Sequence, residues 1–177
     1  MKRKVIGLSG SYNKSSYTFN LVSKISSEVE RMYGLKKTLY DMSDLGTSLG
    51  QAMCSEQLDD TIHEVIDDII NAKVLVIGVP TYKASYPGMF KHFFDLLEPE
   101  ALSGKPIILS ATGGSNRHAL MLEYQLRPLF NFFKAITMPT AIYAVNSDYK
   151  NYLLCESNLL DRISLATKEL STWLIRQ

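Results

Sequence analysis

The sequence has few cysteines, almost no net charge and no long apolar run, and each shortage excludes a class of protein. Its 177 residues contain two cysteines, Cys54 and Cys155, with no CxxC pair and no His/Cys cluster at metal-ligand spacing. We therefore expect no disulfide framework and no metal site, and we interpret both residues as free thiols in a reducing compartment. The formal net charge is +1, which gives no electrostatic reason to expect a nucleic-acid partner.

Membrane and export signals are also missing. No segment approaches the about 18 consecutive apolar residues of a transmembrane helix. The first residues, MKRKVIGLSGS, are basic, but their apolar part is too short for a signal peptide. With 46% hydrophobic and 21% charged residues, the composition is that of an ordinary globular protein. We expect a cytoplasmic protein without membrane contact, in which residues 1–177 form a single domain.

Short apolar runs alternate with segments of helical spacing along the whole chain. Strands are predicted at residues 4–9, 35–41, 73–79, 105–112 and 137–145. Helices are predicted at about 16–33, 55–72, 86–97, 116–135 and 156–175. This alternation predicts an α/β protein with a doubly wound, mostly parallel five-stranded sheet and helices on both of its faces.

Small, hydroxylated and aromatic residues follow three of the predicted strands. The first loop is SGSYNKSSYT (9–18), the second loop is PTYKAS (80–85) and the third loop is TGGS (112–115). In a doubly wound sheet, ligands bind at the carboxyl ends of the strands, near the point where the strand order reverses. We therefore expect the three loops to converge on one site.

The composition of these loops indicates what the site binds. Backbone N–H groups at a helix start, assisted by Ser and Thr hydroxyls, bind a phosphate without needing Lys or Arg. The first loop has this composition but contains neither GxxxxGK[ST] nor GxGxxG, and a Ser/Thr-rich helix cap is the alternative interpretation. The Gly-Gly pair of the third loop lets the backbone approach a flat ligand, and Tyr82 can lie against a ring. A phosphate and a planar ring together describe flavin mononucleotide (FMN).

Three segments resemble the motifs of a known family. GSYNKSSYT (10–18), PTYKASYPGMFKHFFDLL (80–97) and ATGGSNRHALMLEYQLRPLF (111–130) are similar to segments of flavodoxin-like, NAD(P)H-dependent FMN reductases. The similarity is to the branch that serves two-component sulfonate monooxygenases, and it covers essentially the whole chain. It implies the flavodoxin-like strand order 2-1-3-4-5. Asn13 stands where many relatives have Arg, which puts the phosphate or nicotinamide-nucleotide contacts of this position in doubt.

The resemblance assigns flavin contacts to all three loops. The phosphate would be held by Ser9, Ser11, Asn13, Ser16, Tyr17 and Thr18. The ring and the ribityl chain would be wrapped by Pro80, Thr81, Tyr82, Lys83, Ala84 and Ser85. Backbone contacts at the polar edge of the ring would come from Thr112, Gly113, Gly114 and Ser115. For Lys83, a solvated charge is the equal alternative.

Pro128 falls inside the fourth predicted helix. It lacks an N–H group, and its ring crowds the carbonyl of the residue four positions earlier, which is Tyr124. A π-turn at Tyr124 would relieve the clash, and such turns are frequent at functional sites, although a plain proline kink is the alternative. The resemblance favours the π-turn and makes Tyr124 the catalytic candidate, since relatives use this turn at a subunit contact that favours flavin as a transient substrate.

The resulting functional expectation is an NAD(P)H:FMN oxidoreductase that supplies reduced flavin to a partner monooxygenase. Hydride would pass from the nicotinamide to the flavin, and the cofactor would supply the reactivity, so no Ser-His-Asp or Cys-His set is needed. Two alternatives stay open. A flavodoxin-type electron carrier would normally be strongly acidic, unlike this chain, and a quinone or azo reductase would keep its FMN tightly bound.

Aromatic residues are concentrated in the third and fourth predicted helices. Because monomers seldom expose a large apolar patch, this concentration predicts a homodimer or, by the resemblance, a homotetramer. The residues concerned are Tyr86, Met89, Phe90, Phe93, Phe94, Leu129, Phe130, Phe132 and Phe133.

Overall fold

The computed structural model describes residues 4–174, and a parallel sheet lies at its centre. The strand order is β2-β1-β3-β4-β5, with β6 also paired to β4, so the predicted flavodoxin-like order and the parallel sheet are confirmed. The strands are β1 (Lys4–Ser9), β2 (Lys36–Asp41), β3 (Val74–Pro80), β4 (Pro106–Gly113), β5 (Ile136–Thr137) and β6 (Ile142–Val145).

The last predicted strand, 137–145, is divided into β5 and β6. Pro139 lies between the two segments and has no N–H group to donate to a strand ladder. The carbonyl oxygens of Met138 and Pro139 accept hydrogen bonds from the Arg127 guanidinium, at 2.9 and 3.2 Å. The side chain of Arg127, from the preceding helix, therefore satisfies the carbonyl groups between β5 and β6.

Helices cover both faces of the sheet, as predicted. One face packs against α1 and α5, and the other packs against α2, α3 and α4. α2 begins later than predicted because Asp59 caps it, accepting a hydrogen bond from the Ile62 N–H at 3.0 Å. The helices are α1 (Tyr17–Tyr33), α2 (Asp60–Asn71), α3 (Gly88–Asp95), α4 (Arg127–Phe132), α5 (Ser157–Glu169) and α6 (Ser171–Leu174).

A small hairpin after β6 was not expected from the sequence. It pairs β7 (Tyr149–Lys150) with β8 (Leu153–Leu154) in antiparallel fashion. Asn151 and Tyr152 make the two-residue turn with φ angles of 50° and 63°, as type I′ hairpins require. Tyr152 stands where such hairpins usually have glycine, so the sequence lacks the Asn-Gly pair that predicts this turn.

Most of the aromatic residues in α3 and α4 belong to the core of the chain itself. Phe90, Phe93, Phe94, Phe130 and Phe133 are all buried, and their rings pack against one another. The expectation that these aromatic residues form a large exposed patch is therefore wrong for these five. The oligomer itself stays a prediction.

Cys54 and Cys155 are both exposed, and neither is in a disulfide. Within residues 4–174, no helix is long and apolar enough to cross a membrane.

Gly78 in β3 allows α1 to pack directly on the sheet. A Cβ atom at this position would lie 2.3 Å from Val22 Cγ2 and 2.8 Å from Ser110 Oγ. We expect Gly78→Ala to lower the free energy of unfolding by about 1–3 kcal/mol, because overpacking a dense core forces side chains from their rotamers. Urea denaturation measures this change. Gly88→Ala is the control, since its Cβ would meet no atom within 4 Å, and equal stability of the two variants would contradict the prediction.

Candidate functional site

The three loops meet at the carboxyl edge of the sheet, as the sequence predicted. The Gly10 N–H donates to the Gly78 carbonyl at 2.7 Å, which joins the first loop to β3. The Thr81 N–H donates to the Thr112 carbonyl at 2.7 Å, which joins the second loop to the end of β4. The hydroxyl oxygens of Thr18 and Thr112 lie 2.6 Å apart and share a hydrogen bond. Each loop is thus connected directly to the strands or loops beside it.

Short side chains shape the first loop. The hydroxyls of Ser9 and Ser11 accept hydrogen bonds from the N–H groups of Ser11 and Asn13, at 3.3 and 3.2 Å. The Asn13 side-chain carbonyl accepts from the Ser15 N–H at 2.8 Å. These bonds fold residues 9–15 into successive tight turns, which is the local structure that lets backbone N–H groups point to a common anion.

The N-terminus of α1 directly follows these turns. Ser16 caps the helix, and its hydroxyl accepts from the Phe19 N–H at 3.1 Å. The first N–H groups of a helix have no intrahelical partner, so those of Tyr17 and Thr18 are available to an anion. The Thr18 hydroxyl, in contrast, is buried and bonded to Thr112, so this side chain attaches α1 to β4.

The cation of the first loop is already paired. Lys14 Nζ lies 2.5 Å from a carboxylate oxygen of Asp44, and this hydrogen bond raises the pKa of Lys14. The other carboxylate oxygen of Asp44 accepts from the Asp41 N–H at 2.9 Å. The first loop therefore offers neutral hydrogen-bond donors to a phosphate, while its lysine is held beside a carboxylate.

The second loop is a tight hairpin turn at residues 82–85. Its ends are joined by two backbone hydrogen bonds, from Tyr82 N–H to the Ser85 carbonyl at 2.7 Å and from Ser85 N–H to the Tyr82 carbonyl at 3.0 Å. Lys83 and Ala84 occupy the turn with φ angles of 50° and 68°. This left-handed conformation costs a non-glycine residue about 1–2 kcal/mol. The Tyr82 ring is exposed beside the turn, where it can stack on a planar ligand.

A residue that was not predicted contacts this turn. The Ser85 hydroxyl donates to the side-chain carbonyl of Gln125, and the Gln125 amide donates to the Ala84 carbonyl at 3.4 Å. Gln125 lies far from the second loop in the sequence, and nothing in the local pattern distinguishes it from a solvated helix residue. Only the packing of the chain brings it to the site.

A second unpredicted residue, Tyr143 on β6, supports the third loop. Its hydroxyl donates to the Ser115 carbonyl at 3.1 Å and lies 3.5 Å from Thr81 Oγ1. A Cβ atom on Gly113 would lie only 2.0 Å from this hydroxyl, whereas one on Gly114 would meet no atom within 4 Å. Gly113 therefore allows the close contact with Tyr143, and Gly114 leaves its side of the backbone open to a flat ligand.

The Tyr17 ring is engaged by the hairpin of β7 and β8. It lies 4.5 Å from the Tyr149 ring and 5.0 Å from the Tyr152 ring, measured between centroids. The Tyr149 hydroxyl donates to the Tyr17 carbonyl at 3.2 Å, and burial raises the pKa of Tyr149. This aromatic stack fixes the first turn of α1 at the end of the first loop.

The fourth predicted helix contains a π-turn over Leu122–Leu126, which includes Tyr124. The Arg127 N–H donates to the carbonyl of Leu122, five residues earlier, and α4 then continues through Pro128. The predicted π-turn is confirmed, and the plain proline kink is wrong. The wider turn takes the Tyr124 carbonyl out of the regular position that the Pro128 ring would crowd.

A groove runs beside this π-turn and extends to Tyr86, the residue that follows the second loop. It has a volume of about 900 Å³, and we call it the helix groove. Tyr124 and Phe132, 76% and 66% exposed, are the most exposed aromatic side chains in it. Its apolar lining includes Met53, Tyr86, Tyr124, Pro128, Leu129 and Phe132.

The residues of the three loops fit FMN. Free helix N–H groups and short hydroxylated turns suit the phosphate, and the open backbone at Gly114 suits the flat ring. The exposed Tyr82 ring lies on the loop between them. The arrangement is suited to bind and orient an anionic, planar molecule. Within residues 4–174, no group of three or more His, Cys, Asp or Glu side chains could hold a metal ion.

Known proteins resemble this chain in sequence and in structure. Residues 3–150 match the family described as NADPH-dependent FMN reductase. The chain is 38% identical over 165 residues to an FMN reductase (NADPH) of Pseudomonas aeruginosa, covering 93% of this chain and 89% of that protein. It is 39% identical over 165 residues to the NADH-dependent FMN reductase SfnF of Pseudomonas fluorescens, covering 93% and 88%.

Solved structures agree with these matches. An oxidoreductase from Corynebacterium diphtheriae superposes with a TM-score of 0.87 at 30% identity, and all of both chains is covered. An NADH:FMN oxidoreductase in its apo form superposes with a TM-score of 0.84 at 28% identity, covering 96% of this chain and 89% of that one. The chain belongs to the NADPH-dependent FMN reductase family and is an NAD(P)H-dependent oxidoreductase of FMN.

Proposed function

We propose that the chain binds FMN across the three loops as a transient substrate and releases the reduced flavin to a partner monooxygenase. The observation that carries this proposal is the state of the first loop, whose lysine is paired with Asp44. A phosphate held only by backbone N–H groups and hydroxyls lacks the stronger, charge-assisted hydrogen bonds that a free lysine or arginine would donate. Moderate affinity of this kind suits a flavin that must leave after each reduction.

The residues of the site are proposed to bind and orient, with little side-chain chemistry. The first loop and the N-terminus of α1 hold the phosphate, and the second loop wraps the ring and the ribityl chain, with Pro80 and Thr81 at its start. FMN supplies the redox chemistry by accepting hydride from NAD(P)H when both are bound. Backbone N–H groups of the third loop, from Gly114 and Ser115, stabilise negative charge that develops at the polar edge of the ring.

The partner is proposed to be a flavin-dependent monooxygenase that acts on sulfonates or related organosulfur compounds. This proposal rests on the three motifs described above, which resemble those of the reductases that serve two-component sulfonate monooxygenases. The contact is proposed to be transient, because a reduced flavin that diffuses freely needs no stable complex. It is proposed to occur in the cytoplasm, as expected from the sequence.

Tyr124 is proposed to serve both the assembly and the flavin exchange. Its side chain is mostly exposed in the helix groove, together with Phe132, and an exposed pair of aromatic residues on an apolar groove suits a contact with a second copy of the chain. We therefore propose a homodimer or homotetramer that uses this groove, with Tyr124 carried into the contact by the π-turn.

The reductase reaction should depend on added flavin. We expect washed, flavin-free protein to oxidise NAD(P)H only when FMN is supplied, because FMN enters and leaves as a substrate. The consumption of NAD(P)H is followed by its absorbance, with and without FMN. Reduction of quinones or dyes at full rate by the flavin-free protein would instead support a tightly bound flavin, and a stably yellow preparation would support an electron carrier.

The phosphate contacts are tested by Ser11→Ala combined with Ser16→Ala. The double variant removes two hydroxyls from the first loop, and we expect the Kd for FMN to rise at least about tenfold. Loss of the helix cap at Ser16 should also cost about 1 kcal/mol of stability, which thermal melting measures separately. Ser15→Ala is the control, since it changes a neighbouring exposed serine. Unchanged FMN affinity in the double variant would place the phosphate elsewhere.

Deletion of Tyr124 should turn the flavin from a substrate into a retained cofactor. Without the extra residue the helix can return toward regular geometry, and we expect the variant to purify yellow, to turn over more slowly and to assemble less stably, with Tyr124→Ala showing weaker effects. Visible absorption, steady-state rate and light scattering measure these changes. Phe132→Ala is the control for the groove, and should loosen the assembly without retaining flavin. A colourless, destabilised deletion variant that still exchanges flavin freely would contradict the proposal.

A further inference from the structure

The turn in the second loop adopts a left-handed backbone conformation that Lys83 and Ala84 do not favour. A two-residue hairpin with positive φ at both central positions is a type I′ turn, which Asn-Gly adopts readily and most other pairs do not. Here the central pair is Lys83 and Ala84. The bridge between Tyr82 and Ser85 closes the turn, but two backbone hydrogen bonds are common to every such hairpin and do not compensate an unfavourable pair. The native turn therefore needs support from outside the loop.

Gln125 supplies such support from the π-turn. Its side-chain carbonyl accepts a hydrogen bond from the Ser85 hydroxyl, and its amide donates to the Ala84 carbonyl at 3.4 Å. One side chain thus contacts a central residue and a closing residue of the turn at the same time. These contacts are available only while residues 82–85 keep the closed, left-handed geometry.

The position of Gln125 in the helix adds a second property. It directly follows Tyr124 within Leu122–Leu126. Both residues line the helix groove, and Gln125 is also hydrogen-bonded to the second loop. A change in the geometry of this turn would alter the contact of Gln125 with the loop.

We propose that Gln125 is a positioning residue that holds the turn at residues 82–85 in its left-handed form and thereby sets the affinity for FMN. The proposal rests on the proposed assignment of the second loop to the flavin ring. With the turn held, Tyr82 and the Ser85 backbone are presented in one arrangement before the ligand arrives, and binding does not have to order them. Loss of the support lets the loop populate open forms, which reduces the apparent affinity by the fraction of molecules in the closed form.

The test combines Gln125→Met with a turn that needs no support. Methionine keeps the length and apolar stem of the side chain but makes neither hydrogen bond, and Lys83→Asn with Ala84→Gly installs the pair that favours a type I′ turn. We expect Gln125→Met to raise the Kd for FMN about tenfold in the native loop. In the Asn-Gly loop the same substitution should change the Kd less than about twofold, since the turn then forms without Gln125.

Three further measurements separate this role from general stability. The KM for NAD(P)H at saturating FMN should stay within about twofold of the native value, because the effect lies in flavin binding. Amide hydrogen exchange of residues 82–85 should become faster in Gln125→Met and return to the native rate in the Asn-Gly loop. Gln125→Glu, which keeps an acceptor for Ser85 and loses the donor to Ala84, should be intermediate. Glu123→Gln is the matched control, because Glu123 lies in the same π-turn but contacts Arg127.

Two results would overturn the proposal. One is an unchanged Kd for FMN in Gln125→Met with the native loop, and the other is an equal rise of the Kd in both loops. Ser11→Ala combined with Ser16→Ala, measured in parallel, distinguishes this failure from failure of the flavin site. If that double variant loses affinity while Gln125→Met does not, the site stands and the role of Gln125 is wrong. If neither variant loses affinity, the proposed flavin site is wrong, and so is the proposed effect of Gln125 on flavin affinity.

Discussion

Backbone hydrogen bonds at the carboxyl ends of β1, β3 and β4 are the interactions on which the site depends. The N–H of Gly10 is bonded to the Gly78 carbonyl, and the N–H of Thr81 is bonded to the Thr112 carbonyl. Each bond connects a loop to the neighbouring strand, so the spacing of the loops follows from the strand spacing of the sheet. The site is consequently formed by the fold itself, and a ligand does not have to assemble it.

The electrostatic character of the first loop is that of neutral donors. Its turns are made by Ser and Asn side chains, and its lysine, Lys14, is held by Asp44 at the surface. Backbone N–H groups and hydroxyls recognise a phosphate by geometry and do not add the attraction of a free cation. This character agrees with the proposed role of FMN as a substrate that arrives, accepts hydride and leaves.

The π-turn connects the helix groove with the second loop. Pro128 cannot follow a regular helical turn without crowding the Tyr124 carbonyl, and the wider turn over Leu122–Leu126 accommodates it. The same turn exposes Tyr124 in the helix groove and holds Gln125 against Ser85 of the second loop. A single backbone irregularity therefore places one side chain on a candidate subunit surface and its neighbour at the candidate flavin site.

The sequence by itself determined the parallel sheet and the convergence of the three loops, because these follow from local periodicity and from loops at strand ends. For the helix that contains Pro128 it left a π-turn and a plain kink open, and only the family resemblance favoured the π-turn that the structure shows. It did not determine the division of the last strand at Pro139 or the burial of Phe90, Phe93, Phe94, Phe130 and Phe133. It also did not reveal Gln125 or Tyr143, whose contacts join residues distant in the chain. Tertiary structure alone decided these features, since hydrogen bonds and burial between distant segments depend on how the helices pack on the sheet.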